Sequence, residues 1–190
     1  MRHFYEQLAE VLQQEPVVLA TITTVQGSVP REVGAKMIVC ADGRLIGTIG
    51  GGAGEAVVQQ RALTVLQSGT KQFVEIDLSG APDRETQGIC GGKMQVWLER
   101  WAGAEAQTLV AQILNSLGLG GAAIVTPFDS AKSPYLMPND FHTIRATDHA
   151  LIEPLVPPPT LVIMGAGHVA IPLAQIAQLA GFEIVVIDDR

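Results

Sequence analysis

A cluster of glycines marks the beginning of one predicted helix. The segment Gly47-Thr48-Ile49-Gly50-Gly51-Gly52-Ala53-Gly54-Glu55 follows a short apolar run, and apolar residues then recur at helical spacing until Gly69. Glycine lets another group approach the main chain, and a helix start offers unpaired N–H groups and the positive end of a dipole. We therefore predict that the N–H groups of Gly50, Gly51 and Gly52 converge on an anion outside the protein. The alternative is a tight turn in which glycine only solves a packing problem.

A polar loop precedes this segment. Gln26-Gly27-Ser28-Val29-Pro30-Arg31 follows a run of β-branched residues and interrupts it with Gly, Ser and Pro. Ser28 offers a hydroxyl group, and Arg31 carries the guanidinium group that binds phosphate or carboxylate through two hydrogen bonds. We expect Arg31 to lie close to the glycine segment and to supply its cation. A simple connector is the alternative.

The two cysteines have different surroundings. Cys40 lies in the apolar run 36–40 and is predicted to be a small core residue. Cys90 is followed by Gly91 and Gly92 at a predicted junction between a loop and a strand, which leaves its sulfur accessible. A thiolate there could attack an electrophile, or bind a soft metal or a sulfur-bearing cofactor. A spacer role is the alternative.

A second glycine motif lies near the end of the chain. Gly165-Ala166-Gly167-His168-Val169-Ala170 fits the pattern G-x-G-x-x-A between an apolar strand and a helical run. The strand Glu183 to Ile187 follows, and Asp188 stands close to the spacing at which an acidic residue meets a ribose. This order predicts the βαβ start of a Rossmann-like domain. Binding of NAD(P) is a separate question, because the fold can persist without the ligand.

Composition excludes several classes of protein. The 190 residues carry a net charge of −7, without a basic stripe for nucleic acid. Residues 1–6 lack the apolar stretch of a signal peptide, and no apolar segment is long enough to span a bilayer. We expect a cytoplasmic protein that binds neither nucleic acid nor membrane.

The order of elements predicts an α/β fold with two domains. Residues 1–155 are predicted to form an α/β domain with a mixed sheet and a loop-rich tail over residues 127–149. Pro157-Pro158-Pro159 indicates a stiff linker, and residues 160–190 give the start of the Rossmann-like domain. Two parallel strands and one helix do not complete a doubly wound sheet. We therefore expect part of a longer protein, and strand edges that favour a homo-oligomer.

Taken in series, these motifs resemble the xanthine dehydrogenase accessory factor family, XdhC/CoxI. The resemblance covers residues 17–99 and 160–190, whereas residues 101–150 carry no family motif. It rests on the following segments: Thr24-Val25-Gln26-Gly27-Ser28-Val29-Pro30-Arg31, Gly34-Ala35-Lys36-Met37, Asp42-Gly43, Gly47-Thr48-Ile49-Gly50-Gly51-Gly52, Glu55, Cys90-Gly91-Gly92, Gly165-Ala166-Gly167-His168-Val169-Ala170 and Asp188-Asp189-Arg190.

The resemblance implies a cofactor-insertion factor rather than an enzyme with its own turnover. Such proteins bind the molybdenum cofactor, support its sulfuration with a cysteine desulfurase as partner, and deliver it to a xanthine dehydrogenase-type molybdoenzyme. Glycine loops suit the phosphate of the cofactor, and Cys90 suits its metal–sulfur end, either as a metal ligand or as a sulfur relay. The cofactor-binding residues predicted on this basis are Ser28, Arg31, Gly50, Gly51, Gly52, Glu55, Cys90, Gly91, Gly92, Gly165, Gly167 and His168.

Two other functions compete with this hypothesis. The G-x-G-x-x-A motif is also typical of an NAD(P)-dependent oxidoreductase, although the sequence offers no obvious substrate domain with an acid/base pair. A non-catalytic interaction module, whose glycines only shape a surface, is the third hypothesis.

Overall fold

A computed structural model describes residues 1–80, 86 and 88–189. The chain divides into two compact units, Met1–Leu155 and Val156–Arg190. The helices are α1 (Arg2–Leu12), α2 (Gly52–Ser68), α3 (Gly103–Leu119) and α4 (Ala170–Leu179). The strands are β1 (Val17–Gln26), β2 (Lys36–Val39), β3 (Leu45–Gly47), β4 (Gln72–Asp77), β5 (Lys93–Trp101), β6 (Ala122–Pro127), β7 (Tyr135–Pro138), β8 (Arg145–Ala146), β9 (Ala150–Leu155), β10 (Thr160–Met164) and β11 (Glu183–Ile187).

The first unit is built on a five-stranded central sheet with the order β3-β2-β1-β5-β4. All four of its pairings are antiparallel, so the α/β class is confirmed but the sheet is not mixed. The connection through α2 explains why no two neighbouring strands of this sheet are parallel. The chain passes from β3 through α2 to β4 at the opposite edge, so these two strands run in the same direction but three strands separate them.

Helix α2 covers one face of the central sheet. Alternate residues of the strands point towards it, as the period-2 pattern of β5 predicts. Met94, Val96 and Leu98 pack with Val58 and Val65 of α2, while Trp97 and Glu99 face the other side of the sheet. The predicted hairpin is also present, because Asp42 and Gly43 lie in the turn between β2 and β3.

The opposite face of the central sheet packs with α1, α3 and a second sheet, whose order is β7-β6-β9-β8. Residues 127–149, predicted to be loop-rich, therefore contain two strands, and a third follows directly. The strands are short and rich in proline, which hides their periodicity in the sequence. Pro154 is tolerated in β9 because β8 pairs only with Leu151 and Ile152, which leaves the proline side of β9 without a neighbour in this sheet.

The second unit is a strand–helix–strand arrangement. Strands β10 and β11 are parallel, with Thr160 opposite Glu183 and Met164 opposite Ile187, and α4 connects them. Parallel pairing requires such a crossover connection. Within the described residues, none of the helices has the length and apolar character that crossing a membrane requires.

Candidate functional site

Three loops of the first unit lie at the same end of the central sheet, after β1, after β3 and before β5. We call them the proline loop (residues 27–31), the glycine loop (residues 48–52) and the cysteine loop (residues 90–92). A β-carbon on Gly92 would lie 2.6 Å from the carbonyl oxygen of Gln26 and 2.7 Å from Val29. A β-carbon on Gly50 would lie 3.1 Å from Cβ of Pro30. The proline loop therefore lies between the other two, and glycine is required where each of them touches it.

Glu55 fills the anion position of the glycine loop. Its Oε2 atom accepts hydrogen bonds from the Thr48 hydroxyl at 2.7 Å and from the N–H groups of Ile49 at 3.2 Å and Gly51 at 2.9 Å. The N–H of Gly50 donates to Oγ1 of Thr48 at 3.0 Å. The prediction that the amides of Gly50 and Gly51 converge on an external anion is therefore wrong.

The physical reason is the position of Glu55 in the first turn of α2, which begins at Gly52. A carboxylate is favourable there, beside unpaired N–H groups and the positive end of the helix dipole. The chain thus supplies its own anion. The glycine loop is preorganised by Glu55, and a ligand there would find the N–H groups of Gly50 and Gly51 already bonded.

The cysteine loop is fixed to the end of β4. The N–H of Gly91 donates to the carbonyl of Leu78 at 2.8 Å, and the N–H of Leu78 donates to the carbonyl of Gly92, also at 2.8 Å. These bonds hold the backbone directly after Cys90, while the side chain of Cys90 is exposed. Around Gly91, no described heavy atom lies within 4 Å of the position a β-carbon would take. The backbone next to Cys90 is therefore unobstructed on this side by the described residues.

Cys40 has the opposite character. It is fully buried in the core cluster formed with α1 and α3, as predicted, and burial raises its pKa. In the described residues, the one group of three potential metal-binding side chains is Glu15, Cys40 and Asp42. Arg44 approaches both carboxylates, with nitrogen–oxygen distances of 3.7 Å to Glu15 and 3.8 Å to Asp42. Arg44 already lies beside both carboxylates, where a metal ion would otherwise bind. Cys90 therefore remains the better thiol for a ligand.

A polar surface that sequence reasoning missed begins next to Gly92. The strand ends of β1, β5 and β4 carry six polar side chains in two rows of three. Register places Thr24, Gln95 and Glu75 in one row and Gln26, Lys93 and Asp77 in the next. Together with Ile76 and Met94 they line a cavity of about 320 Å³.

A β-bulge creates this polar surface. Ile22 pairs with Val96 but Thr24 pairs with Gln95, so Thr23 is an extra residue in β1. Without it, Thr24 would follow Ile22 onto the α2 face. Bulges of this kind re-aim side chains and are frequent beside active sites. The signal in the sequence is the change from apolar to polar residues at the strand ends, but the bulge itself is not visible there.

An ion pair and a hydrogen bond hold Asp77, one side chain of the polar surface, in place. Lys93 Nζ lies 3.3 Å from Oδ2 of Asp77, whose Oδ1 accepts the N–H of Ser79 at 2.8 Å. Hydrogen bonding from Ser79, aided by Lys93, lowers the pKa of Asp77 to about 2. This carboxylate is therefore ionised at neutral pH, and the surface presents both donors and acceptors.

Ser28 and Arg31 lie at opposite ends of the proline loop, and both are exposed. The carbonyl of Ser28 is one of the atoms that a side chain at position 92 would strike. Arg31 lines a different cavity, together with Gly47 and Thr48 beside the glycine loop. The structure therefore brings Ser28 to the cysteine loop and Arg31 to the vicinity of the glycine loop.

The three remaining predicted residues, Gly165, Gly167 and His168, belong to the second unit. The N–H of Gly165 donates to the carbonyl of Ile187 at 2.6 Å, and exposed His168 lies just before α4. Asp188 accepts the N–H of Ala166. The acidic residue at the ribose-binding position thus contacts its own glycine turn, as Glu55 does in the first unit.

Comparison with known proteins confirms the resemblance inferred from the sequence. Residues 11–77 match the XdhC and CoxI family. The chain is 30% identical over 216 positions to a probable xanthine dehydrogenase subunit of Bacillus subtilis (strain 168), covering 100% of this chain and 65% of that protein. It is 34% identical over 100 residues to the molybdenum cofactor insertion chaperone PaoD of Escherichia coli (strain K12), covering 53% of this chain and 30% of that protein.

A solved structure agrees with these similarities. The crystal structure of a xanthine dehydrogenase from Bacillus halodurans superimposes with a TM-score of 0.76 at 26% sequence identity. The alignment covers 98% of this chain and 62% of that chain. The chain therefore spans less than two thirds of the length of the Bacillus proteins that it matches.

Proposed function

Because residues 11–77 match the XdhC and CoxI family, we propose that this chain binds the molybdenum cofactor, supports its sulfuration and delivers it to a xanthine dehydrogenase-type hydroxylase. The observation that carries the proposal is the exposed Cys90 thiol on a loop whose backbone is bonded to Leu78 directly after the cysteine. The function for which the relative PaoD is named, insertion of this cofactor, supports it.

The residues around Cys90 fit such a cofactor. Thiolate sulfur is a soft ligand and suits a metal that already carries sulfur donors. At Gly91, no described residue obstructs the approach of a ligand to the backbone next to the thiol. When bound, the cofactor supplies an oxo/sulfido molybdenum centre held by the dithiolene of an anionic pterin.

In this proposal Cys90 holds the metal–sulfur end of the cofactor. Ser28 and the polar surface beside Gly92 supply hydrogen bonds to its polar parts, and the exposed position leaves the sulfur-accepting end open to a cysteine desulfurase. Binding through one protein sulfur suits delivery, because a single contact can be exchanged when the client enzyme supplies its own. A cytoplasmic location and a homo-oligomer also belong to the proposal.

The test is anaerobic purification from cells that make the cofactor, followed by molybdenum analysis and absorption spectroscopy. We expect molybdenum to accompany the parent protein and to be lost from Cys90→Ala. Cys40→Ala is the matched control, because it removes the other thiol, and its folded fraction should retain the metal. The loaded parent should also activate a cofactor-free xanthine dehydrogenase-type enzyme. Equal molybdenum content in parent and Cys90→Ala would reject the role of this thiol.

A further inference from the structure

The strongest unassigned feature is a cavity of about 420 Å³ in the first unit. Phe4 and Tyr5 of α1 form one wall, and Ile124 and Leu155 of the second sheet form another. Apolar walls with a few polar groups are typical of sites for small organic ligands, and the volume lies in their usual range.

A buried ion pair forms the polar part of this cavity. Lys36 Nζ lies 2.7 Å from both Oε1 and Oε2 of Glu153, and these side chains are only 9% and 4% exposed. Desolvation makes such a pair costly, and an apolar pair of similar size would often be as stable. Both residues line the cavity, so the ion pair is placed where a bound ligand would meet it.

The pair has hydrogen-bonding capacity left over. A Lys ammonium has three donors, and Lys36 directs two of them to Glu153. The carboxylate has about four acceptor positions, of which Lys36 occupies two. Among the described residues, one donor of Lys36 and further acceptors of Glu153 therefore remain without a hydrogen-bond partner, beside each other. This pattern complements a lactam edge, in which a ring N–H adjoins a ring carbonyl.

Two glycines shape the walls around the pair. A β-carbon on Gly34 would lie 3.2 Å from Oε1 of Glu153, and one on Gly47 would lie 3.0 Å from the Phe4 ring. Larger residues would displace the carboxylate or the ring. Gly34, Lys36 and Gly47 belong to the motifs on which the family resemblance rests, yet the proposed role of Cys90 does not use them.

The charged side chains that line the cavity indicate that its ligand also carries an anionic group. Exposed Arg31 lines the cavity, so two cations and one carboxylate surround it in a chain with a net charge of −7. An anionic group attached to the ring would meet Arg31, which pairs readily with carboxylate or phosphate.

We propose that this cavity binds a flat ring with a lactam edge and an anionic substituent, which is the chemistry of a pterin or a guanine nucleotide. The inference rests on the proposed function, because the molybdenum cofactor contains such a pterin. Glu153 accepts the ring N–H, Lys36 donates to the ring carbonyl, and Arg31 pairs with the anionic group. The proline loop connects this cavity to the cysteine loop, since Arg31 lines the one and Ser28 touches the other.

Calorimetric titration with metal-free probes tests the inference. Pterin-6-carboxylate should bind the parent protein, and AMP should bind at least about tenfold more weakly, because adenine has no lactam edge and loses about one charged hydrogen bond. GMP separates the two sources of the ring, and the proposal expects it to bind no more tightly than the pterin. The proposal is overturned if no probe binds or if AMP equals the pterin, whereas binding of GMP alone would support the lactam-edge site and assign it to a guanine nucleotide.

Variants of the residues that line the cavity test which of them contact the ligand. Lys36→Met/Glu153→Leu removes the ion pair without leaving one buried charge, and it should lose pterin binding while remaining folded by circular dichroism. Lys71→Met/Glu99→Leu is the matched control, since it removes another buried Lys–Glu pair, with a 3.2 Å separation, outside this cavity. It should bind like the parent. Equal affinities in the two double variants would overturn the role of the Lys36–Glu153 pair.

Arg31→Ala should weaken binding of pterin-6-carboxylate but leave unsubstituted pterin unaffected, and an equal effect on both would contradict the role of Arg31. Cys90→Ser should bind pterin-6-carboxylate like the parent. A parent protein that retains no molybdenum but binds pterin-6-carboxylate would reject the proposed function but not the cavity. A parent protein that retains molybdenum but binds no pterin would reject the cavity alone.

Discussion

The Oε2 atom of Glu55 accepts the N–H of Gly51 at 2.9 Å, across the first turn of α2. The same oxygen also accepts bonds from Thr48 and Ile49, so one side chain organises the loop that leads into the helix. Glu55→Ala should lower the free energy of unfolding by about 1–3 kcal/mol, because several donors lose a charged acceptor. Urea unfolding measures this change.

Glu105→Ala is the control for Glu55, because Glu105 also lies in the first turn of a helix, in α3. In the described residues its carboxylate makes no comparable set of bonds to a loop, and we expect a change within about 0.5 kcal/mol. Equal changes in the two variants would show that the glycine loop does not depend on Glu55.

The cysteines should differ in their effect on stability. Cys40→Ser places a hydroxyl group in an apolar core and should lower the free energy of unfolding by about 1–3 kcal/mol. Cys90→Ser alters an exposed side chain and should change it by less than about 0.5 kcal/mol. Chemical denaturation of both variants checks the prediction. A larger loss for Cys90→Ser would assign that thiol a structural role instead.

Glu99 should make stability depend on pH. Burial raises its pKa, so the folded protein binds this proton at a higher pH than the unfolded chain does. Stability from this group is complete below the unfolded pKa and is lost as pH rises through the folded pKa. The parent should therefore gain stability relative to Glu99→Gln as the pH falls from about 8 towards the ordinary pKa of a glutamate, about 4.3. A pH-independent difference in urea unfolding would contradict the prediction.

The second unit should bind NAD weakly. Asp188 accepts the N–H of Ala166 in the glycine turn, which occupies the carboxylate that would otherwise meet a ribose. Calorimetric titration with NAD should therefore give no saturable binding below about 1 mM, which corresponds to about −4 kcal/mol. A micromolar affinity would favour the oxidoreductase hypothesis over a cofactor-insertion factor.

Much of the first unit could be predicted from local sequence. The β-branched run of β1, the Asp42-Gly43 turn and the alternation in β5 each depend on neighbouring residues, and the structure has all three. The contrast between buried Cys40 and exposed Cys90 also followed from adjacent residues.

The parts that local sequence did not predict depend on distant contacts. Lys36 and Glu153 are 117 positions apart, so no local pattern indicates their pairing. The bulge at Thr23 is defined by its partner strand, and β7 and β9 are stabilised by pairing with β6 rather than by a periodic pattern of their own. Glu55 was predicted to bind a cofactor. Its hydrogen bonds to three donors of the glycine loop depend on the folded geometry and are not visible in the sequence.

Protection of Cys90 from alkylation tests the central claim most directly. Without cofactor, iodoacetamide should modify exposed Cys90 in the folded protein, while buried Cys40 should react only after unfolding. Mass spectrometry of the two cysteine-containing peptides follows both rates. After anaerobic loading with one molybdenum per chain, we expect alkylation of Cys90 to slow at least tenfold, with Cys40 unchanged. Alkylation of Cys90 at the same rate, with molybdenum still bound, would contradict the claim that this thiol holds the cofactor.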